Sequence, residues 1–370
     1  MKKIRNGIAI MLTVLLAFLL CSCAGNTDRA KNGVKITATD AKTEQTEEYN
    51  DAVFSMTIPK GWKVTCGGSD IYHSIRISDP DEPLNCMFVL LKADCLLHSQ
   101  EGKDAWKAVY NEGNRDAVIF ANAPVLEKPS TESFFKIFSQ YADMASKFEA
   151  AYVGYSFPHY DNFTVTDRFS GSGDMVNYSL GDEFLRATFT DNGRAGEGMF
   201  SASVVDFKES LYSDRTVADY GLESVDSGYY MAYNIVAITA AKDTFIEWED
   251  LLTECLKTLK YSDIFENNIR GAIERDFFQA RCINQNFNQT MDGIMSSWDS
   301  RNKSIDIISQ KQSDATLGYE RVYDTRTKEI YRAAKGFTSS YKGKGYKPVT
   351  DDNMYTTPIS GYIEKTDNGR

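Results

Sequence analysis

Regular alternation of apolar and polar positions first appears at Ala52–Pro59, where Val53, Phe54, Met56 and Ile58 predict a strand halted by Pro59-Lys60-Gly61. Trp62-Lys63-Val64-Thr65-Cys66 runs back. A second pair of strands, Ser74–Ser78 and Met87–Leu91, is separated by the proline-bounded turn Asp79-Pro80-Asp81-Glu82-Pro83. Helical spacing follows at Lys103–Tyr110 and more strongly at Thr131–Phe148, where Phe134, Phe135, Phe138, Tyr141 and Met144 recur at three and four residue intervals. Thr131 suits the cap of that helix, and Glu132 suits the positive end of its dipole. Four strands come next, at 163–169, 184–190, 198–207 and 229–240, with Asp191-Asn192-Gly193 marking a hairpin turn. A helix from Asp243 to Leu259 closes the run with Phe245, Trp248, Leu252 and Cys255 on its apolar stripe. This order predicts an α+β fold, a largely antiparallel sheet with flanking helices.

Beyond Ser262 the period stays helical to about Gln310. Two interleaved seven-residue series, one from Ile273 to Ile308 and one through Phe277, Asn284, Met291, Trp298 and Ile305, predict one long helix. Asn284 and Arg301 interrupt the seam as register-setting polar residues do in coiled coils. The stripe either packs on the chain's own sheet or on the helix at 243–259, or supports self-association through residues 273–308. A small β-hairpin follows, with arms Glu320–Tyr323 and Glu329–Ala333 about the turn Asp324–Lys328.

The N-terminus carries a different pattern. Lys2, Lys3 and Arg5 precede the apolar run Ile8–Leu20, which is shorter than the roughly 20 residues needed to span about 30 Å of hydrocarbon. Leu20-Cys21-Ser22-Cys23 resembles the bacterial lipobox: a leucine stands three positions before Cys23 and a small residue directly before it, whereas Cys21 has Leu20 as its neighbour. The resemblance implies cleavage before Cys23 and a diacylglyceryl thioether on it, two acyl chains being enough for stable anchoring. It places the folded part on the extracytoplasmic face of the cell membrane. The expected organisation is a signal peptide at 1–22, a lipidated polar tether at 23–50, the α+β domain at 51–262, the long helical segment at 263–318 and a basic, hairpin-containing tail at 319–370.

Charge sharpens this division. Loss of Lys2, Lys3 and Arg5 with the signal leaves 38 basic against 52 acidic residues, a net of −14, which argues against nucleic acid as a partner. Residues 320–370 hold ten basic and seven acidic residues, so the tail is basic on an acidic body. With 42% hydrophobic and 12% aromatic residues the body can bury a sizeable core. Five cysteines remain after Cys23: Cys66, Cys86, Cys95, Cys255 and Cys282, an odd number without C-x-x-C spacing. Cys255 and Cys282 lie in helical patterns and read as core, whereas Cys66 and Cys86 flank consecutive strands closely enough to be considered for a bridge.

No spacing points to catalysis. His73, His98 and His159 form no ligand pair for a metal, so no metal or cofactor is expected. G-x-S-x-G is absent, and the S-x-x-K spacings at Ser133, Ser300 and Ser339 lack their companion motifs. The glycines of Gly193–Gly198 belong to a turn rather than a phosphate loop, and Asp81-Glu82 and Asp351-Asp352 lie in polar turns where carboxylates stay solvated. The one constellation with a physical use is Tyr341-Lys342-Gly343-Lys344-Gly345-Tyr346-Lys347. Glycines let this loop bend while Lys342, Lys344 and Lys347 face water, so it could lie on lipid headgroups or wall polymers, with Tyr341 and Tyr346 stacking on rings or packing on the hairpin.

Two resemblances complete the reading. Phe54-Ser55-Met56-Thr57-Ile58-Pro59-Lys60-Gly61-Trp62, followed by an antiparallel sheet and a terminal helix near Leu259, is similar to the PsbP and Mog1-like α/β/α sandwich. The stretch from Trp298 through Gly318-Tyr319-Glu320-Arg321-Val322-Tyr323-Asp324 to Gly336-Phe337 resembles the closing segment of uncharacterised Gram-positive lipoproteins. The first implies an accessory or binding module and the second supplies no function of its own, so the expectation is a membrane-anchored binding or accessory module with a protein or cell-wall partner. A wall-directed hydrolase with carboxylates assembled by the fold, or a solute-binding lipoprotein of a transporter, is the alternative.

Overall fold

A computed structural model describes residues 34–38, 44–170, 183–207, 225–242, 244–273, 311, 314–315, 317–351, 354–355 and 359–366. Cys23, Cys282, Asp352 and the seam residues from Phe277 to Ile308 lie outside them. In chain order the strands are β1 Val34–Ala38, β2 Thr46–Asn50, β3 Phe54–Pro59, β4 Lys63–Gly67, β5 Ser74–Ser78, β6 Cys86–Leu97, β7 Asp161–Ser170, β8 Glu183–Asp191, β9 Arg194–Phe207, β10 Tyr229–Ala241, β11 Lys260–Tyr261, β12 Tyr319–Asp324, β13 Ile330–Ala334, β14 Tyr346–Pro348 and β15 Ile359–Lys365. The helices are α1 Gln100–Asn111, α2 Val118–Asn122, α3 Thr131–Phe148, α4 Phe245–Lys257, α5 Asp263–Ile273 and α6 Phe337–Ser340. The chain divides into two units, Ala41–Leu317 and a smaller one that joins Met1–Asp40 to Gly318–Arg370.

The larger unit is built on a seven-stranded antiparallel sheet in the order β4-β5-β6-β10-β9-β8-β7. Strand β6 lies near its middle and is buried on both faces, so alternate residues serve opposite cores. Phe88 and Leu90 join the cluster under α3, with Phe134, Phe135, Phe138, Tyr160 and Phe200. Met87, Val89 and Leu91 join the cluster under α4, with Phe54, Trp62, Val236, Phe245 and Leu252. Two-sided burial explains why this segment reads as a continuous apolar run rather than an alternation. Strands β2, β3 and β11 form a separate three-stranded sheet. The architecture is therefore mixed α+β with antiparallel sheets, as the order of elements implied.

Local detail departs from expectation in several places. The cap of α3 is Ser130, whose Oγ accepts from the Ser133 N–H at 3.1 Å. Thr131 is instead the first helical residue, buried, with its hydroxyl donating to the Ala202 carbonyl at 2.9 Å. The Asp191-Asn192-Gly193 turn is as expected, Asn192 and Gly193 both taking positive φ (50° and 77°) between β8 and β9. The long helix from Ser262 to Gln310 is not borne out: the described helix is Asp263–Ile273, and its Phe265 and Ile269 pack on the unit's own core. No bridge joins Cys66 and Cys86. Strand β5 runs between them, with Cys66 opposite Ile75 and Cys86 opposite Ser78, and two strand spacings of about 4.8 Å exceed the reach of a disulfide.

The smaller unit corrects the tether. Residues 23–50 are expected to form a polar tether, yet Val34, Ile36 and Ala38 alternate with Lys35 and Thr37, and β1 pairs antiparallel with β15, Val34 opposite Lys365 and Ala38 opposite Gly361. Thr46–Asn50 likewise pairs with β3. The first is ordered by a partner more than 300 residues away, the second by the strand that directly follows it. The unit's sheet runs β1-β15-β13-β12-β14 over a core of Val34, Val322, Tyr331, Ala333, Phe337, Tyr346 and Ile363. Its hairpin matches the expected arms, Tyr323 facing Ile330.

The reassigned helix cap is directly measurable. Ser130→Ala lowers stability by about 1 kcal/mol in urea denaturation, because one N-terminal N–H of α3 loses its acceptor.

Candidate functional site

The larger unit holds a buried polar centre at an irregularity of β6. Between the pairs Tyr230–Leu96 and Ala232–Ala93 the register slips, so Asp94 and Cys95 stand opposite the single residue Met231. Cys95 takes φ 62° to close this bulge. The bulge directs Lys92 and Asp94 into the interior. Lys92 is fully buried, its Nζ 3.1 Å from Asp94 Oδ2 and 3.3 Å from the Tyr72 hydroxyl, and it lies over the Tyr72 and Tyr233 rings at 5.0 and 5.9 Å. Tyr72 donates to Asp94 Oδ2 at 2.6 Å. Its phenol is held far above its usual range by burial and then by the Asp94 charge.

Glu149, just past the end of α3, completes the group from the other side. Burial pushes its carboxyl up to about 7, with Asp94 adding to the rise and Lys92 opposing it. Its Oε1 is buried without a hydrogen-bond donor. Burial likewise holds the Cys95 thiol well above its usual range, which keeps it protonated and a poor nucleophile. The chemistry of this centre is turned on itself: lysine, aspartate and tyrosine satisfy one another.

The histidines take separate places. Burial among Phe54, Tyr261 and Phe265 drives His73 down to about 4 against the opposing pull of Asp51. His98 stands between Asp226, 3.0 Å from Nδ1, and Asp206, 3.4 Å from Nε2, with the Tyr230 ring 4.2 Å away. His159 meets Asp143 at 3.1 Å. Among the described residues no group of three His, Cys, Asp or Glu side chains has the geometry to hold a metal ion.

An open cleft of about 650 Å³ is lined by Trp62, Trp248, Asp79, Asp81, Glu82 and Glu247 among others. Here the Asp81-Glu82 pair does reach a cavity, beside tryptophan rings 5.4 Å apart. Its carboxylates are in water or already used: Asp81 is exposed, Asp79 accepts from the Asp81 N–H and the Asn85 amide, and Glu82 accepts from Arg194 at 2.8 Å. A pair of carboxylic groups with split affinities for the proton needs burial or mutual proximity, and the lining carboxylates are not buried.

In the smaller unit the basic loop divides into two kinds of residue. Lys342, Lys344 and Lys347 are exposed. Tyr346 is buried and Tyr341 half-buried, stacked on Phe337 at 5.5 Å and edge-on to Tyr346 at 5.4 Å. The tyrosines therefore pack on the hairpin and support the loop, rather than offering faces to a ligand. Gly345 brings the loop against the hairpin turn, its carbonyl accepting from the Thr325 N–H and hydroxyl at 2.9 and 3.0 Å. Sequence spacing located this loop. It missed the Lys92 centre, because charged residues after Leu91 read as the end of a strand.

No family model matches the chain, and no curated protein does. One solved structure with a detectable likeness is a cyanobacterial PsbP from Synechocystis, at 12% identity over 66% of this chain and 99% of that one, with a TM-score of 0.24. At that score the likeness carries no assignment, and the architecture stands on its own strand order. No described helix is long and apolar enough to cross a membrane.

Two measurements test the buried groups. Lys92→Met costs about 3–5 kcal/mol by leaving Asp94 charged in the core, and adding Asp94→Leu in the same chain recovers much of that loss. The folded chain holds the Glu149 proton to about pH 7, whereas an ordinary glutamate releases it near 4.5, so this residue makes stability fall as pH rises through that window. His73 acts in the opposite direction, its stabilising contribution being lost as pH falls from 6.5 towards about 4. Glu149→Gln therefore gains up to about 3 kcal/mol at pH 8 and nothing at pH 4, and His73→Phe flattens only the acid limb, both read from urea midpoints across pH.

Proposed function

We propose that this chain is a lipid-anchored extracytoplasmic lipoprotein, held in the cell membrane through Cys23 and acting as a non-catalytic binding or accessory module. The observation that carries the reading is the Leu20-Cys21-Ser22-Cys23 signature behind a basic start and a short apolar run. The position of β1 supports it: the first described strand begins at Val34, eleven residues beyond Cys23, which leaves a short link between lipid and folded chain. The finer assignments belong to the same proposal, namely a PsbP-like sandwich for the larger unit and kinship with uncharacterised Gram-positive lipoproteins.

The accessory role rests on how the titratable side chains are spent. Lys92, Asp94 and Tyr72 bind one another inside the core, and Glu82 and Asp79 in the open cleft hold Arg194 and the local turn. A binding module needs a surface and an address rather than a reactive pair. Membrane fractionation of cells expressing the full chain tests the address. Cys23→Ala moves the protein from the membrane fraction to the soluble or secreted one, whereas unchanged, detergent-dependent retention overturns the assignment.

A further inference from the structure

Resting on that reading and deepening it, we propose that the smaller unit is a docking surface for the anionic bilayer in which the chain is anchored, bound through Lys342, Lys344 and Lys347 together with Lys328. Three observations lead there. The first is charge. Among the described residues of this unit eight basic side chains are exposed, against two exposed carboxylates, Asp351 and Glu364. The remaining described acids are engaged: Asp324 is buried and paired with Arg326, Glu320 accepts from the Gly336 and Thr338 N–H groups, and Glu329 accepts from the Tyr331 hydroxyl. The exposed surface is thus more basic than the net charge of the segment.

The second observation is where these charges gather. The β12–β13 hairpin turn carries Arg326 and Lys328, and the loop from Tyr341 to Lys347 closes against the same turn through Gly345. Asp324 neutralises Arg326, which leaves Lys328 in the turn, Lys344 and Lys347 on either side of the Gly345–Tyr346 step that closes on it, and Lys342 at the start of the same loop. None of the four is paired with a carboxylate among the described residues. Tyr341 and Tyr346 hold the loop on the core, so the lysines are presented by a packed scaffold whose backbone loses little freedom on binding.

The third is reach. β1 enters at one edge of the five-stranded sheet and β14, which follows the lysine loop, forms the opposite edge. Four strand spacings of about 4.8 Å and a strand length of about 20 Å put the two corners roughly 27 Å apart. Eleven residue steps from Cys23 to Val34 extend to roughly 36 Å. The link is therefore long enough for the lysine end to lie on the bilayer, and short enough to keep this unit beside it at high effective concentration. Had the tether run to Asn50, the chain would fix no particular unit at the surface.

The test uses the chain from residue 23 onward with Cys23→Ser, so that no lipid contributes, and co-sedimentation with phosphatidylcholine vesicles with and without phosphatidylglycerol. Retention is expected only with phosphatidylglycerol and is expected to fall as salt rises. Replacing Lys342, Lys344 and Lys347 by Gln weakens it about 100-fold, at about fivefold per basic residue. Lys335→Gln, at the far end of the hairpin, changes it by no more than about fivefold, and near-ultraviolet circular dichroism confirms that each variant is folded. Equal retention on neutral vesicles, no retention on either, an unaffected triple variant or an equal loss from Lys335→Gln overturns the proposal. Retention on isolated teichoic-acid-bearing walls without retention on vesicles also overturns it, in favour of a wall polymer. Because the chain carries no attached lipid in any arm, each of these results leaves the Cys23 assignment to stand or fall on fractionation alone.

Discussion

Strand β6 is hydrogen-bonded to β5 and β10 and buried on both faces, and the layering of the larger unit follows from it. A strand that must feed two cores cannot keep a polar face, so Cys86 through Leu91 is wholly apolar. Where polar residues do enter, they must be neutralised inside the protein. The bulge at Asp94-Cys95 meets that requirement: it places Asp94 beside the Lys92 ammonium, Tyr72 closes the pair, and Glu149 accommodates its burial by holding a proton to about pH 7. A fully buried lysine without these partners would be among the most costly groups in the core.

The elements governed by local pattern were readable from the chain. α3 begins and ends where its apolar spacing does, β5 matches Ser74–Ser78, and Asn192-Gly193 turns a hairpin for reasons of backbone conformation alone. What was not readable depends on distant partners. Val34-Lys35-Ile36-Thr37-Ala38 alternates apolar and polar over only five residues inside a polar stretch, too short to stand out alone, and it becomes a strand where it meets Ile359–Lys365 more than 300 residues later. The Lys92 centre was hidden for a related reason, since a bulge has no composition signal and a charge in a strand ordinarily means solvent. The candidate site in the smaller unit was half legible: lysine and glycine spacing identified the loop, but the packing of Tyr341 and Tyr346 required the fold.

Pairing β1 with β15 also changes what the two chain ends mean. Read linearly, the N-terminal segment is a spacer and the basic tail is a remote appendage. In the fold they form one sheet, and the 277-residue unit Ala41–Leu317 is an insertion between its strands. The anchor proposed at Cys23 would therefore act on the C-terminal basic sheet as directly as on the N-terminal strand.

Net charge alone would argue against any approach to an anionic surface, because residues 23–370 carry −14, with −18 in the larger unit offset by +4 in the smaller. Screening reverses that judgement. At physiological ionic strength the Debye length is about 8 Å, so charges farther than this from a bilayer contribute little, and in the proposed docking the lysines that reach it would decide the interaction. A segregated charge distribution is then compatible with binding at one face, and it resists adsorption through the acidic unit. Scattering the same residues evenly over both units would leave every face weakly acidic and no face able to hold the surface.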